Sequence, residues 1–384
     1  MLKFFKILNL IFLSILYLNS QVSANEKKIK IGLLIPISGE NKKIGQQIIK
    51  STRMALKDIG ENKVEIFLKD TNSNPNQTIK SANEFQNMGI QIVIGPVFFK
   101  NLIYLEETND IIFLSFTNKT YKLPRNVVSA GVNANSQLNA IKNFVEINEI
   151  KKTILLTPKL DYENEVKRAV QKSKLKIFKH HIYDTEPTKL TAQIEKITNY
   201  KIRKQNLEDE IKRVENSNII DKDEQLKNLN KKYTLGDVNF DSVIISDFDE
   251  NLKSVVTSLL YTDVSPKDKY FITLNQWFDE SLLKEESIQP IYYPSINKDN
   301  LENFEEKFLK EFNEQPNYLS LLSYDLIGLI YYLSKKNDLE NLTSIFKKKN
   351  TFKGKIGIFD IENNKINHKL NFYEINDGKI KEIF

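Results

Sequence analysis

Between Lys28 and Ile59 the chain runs KIKIGLLIPISGENKKIGQQIIKSTRMALKDI, and no other stretch restricts the possible folds as much. Residues 29–36 are apolar with hardly a break. A strand with one wet face would alternate, so this one predicts a sheet covered on both sides. Pro36 ends it. After a turn over 37–41, apolar residues at Ile44, Ile48, Ala55 and Ile59, with a second row at Ile49 and Leu56, recur close to the helical period. They predict a helix with one packed face that keeps Lys42, Lys43, Gln46, Lys50 and Lys57 in water. Strand, turn and helix together form the opening half-unit of a parallel α/β sheet. Such sheets receive polar or anionic ligands outside the carboxyl ends of their strands, where helix N-termini offer free N–H groups.

The pattern then repeats. Residues 64–70, 90–95 and 111–116 predict three more strands, with helices over 76–88 and from Pro96 to Thr108 between them. Four strands joined by helical crossovers require a parallel sheet with right-handed connections. Residues 127–131 read as a short strand leaving this first lobe. A second α/β run echoes the first: helix 136–148, strand 153–158, helix 162–172, strand 176–183, strand 241–247, helix 250–261 and strand 270–274. Residues 188–232 interrupt it as a charged helical excursion with sparse apolar teeth. Two readings of it stand side by side, a solvated insertion and a docking surface for another protein. Residues 291–296 read as a strand returning to the first lobe, whose cover is completed by helices 301–313 and 319–333. The expected organisation is therefore lobe 1 over 27–132 and 297–350, lobe 2 over 133–292, a crossover at 293–296, and a terminal hairpin over 351–384 packing at the hinge or on lobe 2. The fold class is α/β, two lobes, each a doubly wound parallel sheet with helices on both faces.

Ahead of the first strand, Lys3 and Lys6, an apolar run over 7–18 and Val22-Ser23-Ala24 have the layout of a secretory signal peptide. Cleavage after Ala24, with export to the periplasm, is the expectation. The chain has no cysteine, so it forms no disulfide and offers no lipidation site of the diacylated kind. A protein of 384 residues can supply cores large enough to stand without such staples.

Catalytic signals are poor. The three histidines, His180, His181 and His368, lie in no HExxH or similarly spaced cluster, and no metal or cofactor is expected. Residues 344–347 spell SIFK, the SxxK of penicillin-interacting serine enzymes, but no SDN or KTG partner follows. There is no Walker A, GxGxxG or GxSxG motif in the mature chain, and a non-enzymatic role is expected. The formal net charge of +6 is spread over interspersed lysines and carboxylates, and the excursion is nearly free of aromatic residues, which speaks against nucleic acid.

At the expected strand ends, seven residues are candidates for lining a cleft. Ser38 is either a contact or a turn residue; Ser115 and Thr117 end the fourth strand; Phe98 follows the third; Tyr162 opens a helix. Trp277, the only tryptophan, either floors the cleft or packs. Asp247 is either a contact or, like Asp325, a hinge or capping carboxylate.

The order of elements, with IKIGLLIPISG, KDTNSNPNQTIKSANEF and VIGP, resembles the type I periplasmic binding proteins of the leucine/isoleucine/valine-binding kind over nearly the whole mature chain. GPVF with FLSFTN, YTLGDVNFDSVIIS and NFEEKFLKEFNEQPNYLSLLSYDLIGLIYYL resemble the alphaproteobacterial branch of penicillin-binding protein activators, which share that fold. The first resemblance implies a receptor that hands a small polar solute, such as an amino acid, to an ABC permease. The second implies a regulator of peptidoglycan synthesis that contacts a synthase, a penicillin-binding protein, without catalysis, and it is the reading favoured here. Amino-acid-binding members carry a serine soon after the VIG strand, where this chain has Pro96-Val97-Phe98-Phe99-Lys100. They also carry a glycine where this chain has Glu163, and Gln276 and Trp277 stand where an ammonium-binding acid is expected.

Overall fold

The computed structural model describes residues 28–60, 63–336 and 344–384; the expected signal segment, 1–24, lies outside them. The opening unit forms as its pattern requires. Strand β1 (Ile29–Ile35) is buried at every residue but Lys30, and α1 (Lys42–Ile59) lays Ile48, Met54 and Ala55 on the core. Strand β2 (Val64–Asp70), helix α2 (Pro75–Asn87), β3 (Ile92–Ile94) and β4 (Ile112–Ser115) follow. Asn74 caps α2, its side chain accepting from the amides of Asn76 and Gln77, with Pro75 in the first helical position, where its missing N–H costs nothing. Two expectations change here. The helix expected up to Thr108 is a pair of short 3₁₀ turns, Phe99–Leu102 and Leu105–Glu107. The segment expected to leave the lobe is instead β5 (Val127–Ser129), which pairs in parallel with β4. The first sheet therefore has five parallel strands in the order β2-β1-β3-β4-β5.

The second lobe begins with α3 (Ala134–Ile147), capped by Asn133, and continues through β6 (Thr153–Pro158), α4 (Glu163–Ser173) and β7 (Lys179–Tyr183). The excursion is three helices, α5 (Pro187–Ile197), α6 (Tyr200–Glu215) and α7 (Lys222–Leu229), the last with no buried residue. Its base is pinned by Arg203, a buried guanidinium that donates to the carbonyls of Gly236, Thr262 and Asp263 and to the Thr234 hydroxyl. Strand β8 (Ser242–Ile245), α8 (Asp249–Tyr261), β9 (Tyr270–Thr273), the single turn α9 (Glu280–Leu283) and β10 (Ile291–Ser295) complete this region.

Strand β10 was expected to cross back to the first lobe, but it stays in the second sheet beside β9. The chain returns only after it, through α10 (Lys298–Phe312) and α11 (Tyr318–Lys336). Nor is the C-terminal region one hairpin. Strands β11 (Asn350–Lys353), β12 (Ile358–Glu362) and β13 (Lys365–Lys369) make a small antiparallel sheet, and Asn363 and Asn364, both at positive φ, form the tight β12–β13 turn. Strand β14 (Asn371–Asn376) then pairs with β10, with Tyr373 opposite Tyr293, and β15 (Lys379–Glu382) pairs with β14. Aromatic packing favours this outcome: Phe372 stacks on Phe144 of α3 at 4.5 Å between ring centroids. The second sheet thus reads β15-β14-β10-β9-β8-β6-β7, parallel except at β14 and β15.

Two buried ionisable groups hold the connections between the lobes. The Asp325 carboxylate of α11 accepts from the amides of Lys355 and Ile356, both at 2.7 Å, and a Cβ on Gly354 would come within 2.4 Å of it. His368 of β13 faces the Ala130 carbonyl at 2.9 Å through Nε2, while its amide donates to Ser136 Oγ.

Two predictions follow from this packing. A glycine inside a helix ordinarily costs stability relative to alanine, but a Cβ at Gly45 would sit 1.8 Å from the Pro36 carbonyl. Gly45→Ala should therefore destabilise, by about 1–3 kcal/mol in chemical denaturation; a stabilised variant would contradict the close α1–β1 approach. For His368, burial holds the ring down to about 4, against the pull of the Ala130 and Gly131 carbonyls, from an ordinary value of 6.5. The folded protein keeps the ring neutral where the unfolded chain charges it, so its contribution is complete above pH 6.5 and is lost as pH falls toward 4. Asp325, pushed up to about 7 by burial, has the opposite slope, so the informative comparison is His368→Gln against the parent. The variant should lose less stability on going from pH 7 to 4, and parallel curves would refute the assignment.

Candidate functional site

A cavity of about 830 Å³ lies between the two sheets, at the carboxyl ends of their strands. The first lobe contributes Val97, Phe98 and Phe99 after β3, Phe116 to Lys119 after β4, Ile44 of α1 and Asn317 to Leu319 and Leu322 around the start of α11. The second contributes Gln137 of α3, Phe248 and Asp249 after β8, and Asn275, Gln276, Trp277 and Asp279 after β9, while Gly131, Val132 and Ile356 come from the connecting segments.

Of the seven expected residues, Phe98, Thr117 and Trp277 meet on this cavity. The other four do not line it. The Ser38 hydroxyl donates to Asp70 at the end of β2. Ser115 is buried and donates to the Pro96 carbonyl at 2.8 Å. The Tyr162 hydroxyl donates to the Ser246 carbonyl at 3.0 Å, and burial followed by the nearby Asp247 carboxylate raises its pKa. Asp247, 2% exposed, accepts from the Tyr183 hydroxyl and from the Phe248 amide. In each case a partner distant in sequence takes the polar group.

Most polar groups on the cavity wall are likewise bonded within the chain. Asn275 Oδ1 accepts from the Trp277 amide at 3.0 Å and from Ser295 Oγ at 2.8 Å. Gln276 Nε2 donates to the Leu274 carbonyl, Asp279 caps α9 through the Ser281 amide, and Asn317 Oδ1 accepts from the Ser320 amide. Lys119 Nζ stands 4.6 Å from the centre of the Phe99 ring. Asn275, Asn317 and Tyr318 escaped the sequence reading; their only signal there was a place beside an element boundary.

Side chains also join the lobes directly. The Trp277 ring stacks on Tyr318 at 4.6 Å, and the Tyr318 hydroxyl donates to the Trp277 carbonyl at 2.6 Å. Just beyond Lys119, the Thr120 amide donates to Glu165 of α4 at 2.9 Å, and the Arg168 guanidinium lies 3.6 Å from the centre of the Tyr121 ring. Among the described residues, no group of three or more His, Asp and Glu side chains is placed to hold a metal ion, and no helix is long and apolar enough to cross a membrane.

Two five-to-seven-stranded, mostly parallel sheets facing each other across a cleft have known counterparts. Residues 28–202 match the model of a family of periplasmic binding proteins. A putative branched-chain amino acid ABC transporter protein from Rhodospirillum rubrum superposes with a TM-score of 0.69 at 11% identity, over 93% of this chain and 100% of the other. The chain has the type I periplasmic binding protein fold. Within that fold it is similar to the C-domain of LpoA from Haemophilus influenzae, a regulator of PBP1A (TM-score 0.61, 16% identity, 92% and 100% covered). It spans 59% of full-length LpoA from the same organism. The isoleucine-bound branched-chain amino acid binding protein LivJ from Streptococcus pneumoniae superposes with a TM-score of 0.54 at 17% identity, over 92% and 98%. At these identities the likeness is one of fold. No curated protein sequence matches the chain.

The single tryptophan makes the lobe contact measurable. Tyr318→Ala should shift the emission maximum of Trp277 to the red and enlarge the radius of gyration in X-ray scattering, with a stability loss of about 1 kcal/mol. An unchanged emission maximum would refute the stack.

Proposed function

We propose that this is a non-enzymatic periplasmic protein that regulates a peptidoglycan synthase by direct contact. One observation carries the reading: the polar side chains around the cleft are largely engaged by the chain itself. A zwitterionic amino acid needs donors for its carboxylate and an acceptor for its ammonium, all desolvated together and therefore all to be paired. Here Asn275 Oδ1, Gln276 Nε2, Asn317 Oδ1 and both Asp279 oxygens already have partners within the chain, and Asp249, the other cleft acid, is exposed. Lobes bridged by Trp277–Tyr318 and Thr120–Glu165 suit a scaffold that presents a surface. The excursion offers one, with Ile220 fully exposed, Ile202 largely so and Tyr233, just after it, also exposed. The likeness to the LpoA C-domain supports the same reading.

A second reading, a solute receptor for an ABC permease, is favoured by the size and apolar wall of the cleft, which suit a small ligand. Two measurements separate them. Purified protein added to a class A penicillin-binding protein from its own organism should raise glycan polymerisation or cross-linking, and a thermal-shift screen of the amino acids should be flat. A melting temperature that climbs with the concentration of one amino acid, as linkage requires of a receptor, together with no effect on the synthase, would overturn the proposal.

A further inference from the structure

A second cavity, of about 410 Å³, shares no lining residue with the cleft. It is enclosed by the loop after β4, by β5, by the start of α3, by Lys172 of α4 and by the β12–β13 turn, so its walls come from both lobes and the small antiparallel sheet. Lys122, Arg125, Lys172 and Lys365 line it, and no carboxylate does. Arg125 reaches outward to Glu106 at 3.5 Å, and the Glu165 carboxylate nearby is taken by Thr120. The three lysines have no carboxylate partner among the described residues. A concave surface lined by one sign of charge focuses its field on whatever enters and favours an anion.

The rest of the wall is carboxamide. Asn133 Nδ2 donates to the Ile366 carbonyl and Asn135 Nδ2 to Asn367 Oδ1, at 2.9 and 3.0 Å, which ties the helix start to the hairpin. The amides of Asn363 and Asn364 donate to the carbonyls of Lys347 and Phe346, which fixes the turn. Within this rigid frame Asn135 Oδ1 and Asn364 Oδ1 are left buried with no hydrogen-bond partner. A buried acceptor without a donor is costly, and a hydroxyl entering beside either oxygen would supply the missing donor. Cations suited to a carboxylate, beside amide oxygens suited to hydroxyls, make one combined demand.

We propose that this cavity binds a sugar acid, a hydroxylated ring bearing a carboxylate. The volume suits a single substituted ring. The proposal is independent of the synthase reading and concerns different residues from the cleft. Calorimetric titration of the full protein at low salt with N-acetylmuramic acid, galacturonic acid, neutral N-acetylglucosamine and inorganic phosphate tests it. The two sugar acids should bind at least about tenfold more tightly than the neutral sugar and than phosphate, and more weakly as salt rises. Replacing two of the three exposed lysines (Lys172→Ala with Lys365→Ala) should weaken the sugar acids about tenfold or more at an unchanged melting temperature. Equal binding of the neutral sugar or of phosphate, unchanged affinity in the double variant, or no heat from either acid up to about 10 mM would each overturn it.

Discussion

The structure depends on the contact between α1 and α11, two helices from opposite ends of the chain. Gln47 of α1 bonds the backbone at Gln315 and Asn317, the Ser51 hydroxyl donates to the Ser320 carbonyl, and Thr52 meets Ser323 at 3.1 Å. Small hydroxyl residues let the helices approach closely, and each buried hydroxyl there has a partner, so closeness brings no unsatisfied polar group. Without this contact the first sheet would lose part of the cover that its two-sided apolar strands require. It also sets the start of α11, and with it Tyr318, over the cleft.

From that placement the cleft follows. Tyr318 meets Trp277, which stands at positive φ just after β9, and the aromatic pair spans the gap between lobes. Thr120, Tyr121, Glu165 and Arg168 span it again. Asp325 links α11 to the amides of Lys355 and Ile356, and Ile356 is part of the cavity wall. Core packing, lobe contact and cleft shape are thus one connected set of interactions.

This arrangement separates fold from function in a concrete way. A shared fold can host both solute capture and protein regulation, and what a cleft can hold depends on where its polar groups point. Here they point largely inward, to Ser295, Ser281, Ser320 and backbone carbonyls. Further polar chemistry lies on the lysine- and asparagine-lined cavity beside the β12–β13 turn and on the exposed excursion.

Local periodicity determined much by itself. The β1–α1 unit, strands β2 and β6, and the amphipathic helices were legible because burial on two faces or on one stripe leaves a mark in residue order. Three of the seven expected cleft residues, Phe98, Thr117 and Trp277, were legible for a related reason: strand ends in such sheets face the crevice. Only tertiary structure decided the rest. Strand pairing is a choice among partners far apart in sequence, so nothing local announced that β10 would stay in the second sheet with β14 beside it, or that β5 would join the first. Ser38, Ser115, Tyr162 and Asp247 look the same in sequence whether they face a ligand or a neighbour. Their hydrogen bonds to Asp70, Pro96, Ser246 and Tyr183 exist because folding brought those partners within reach, and a short-range bond within the protein satisfies a buried polar group as well as any ligand does.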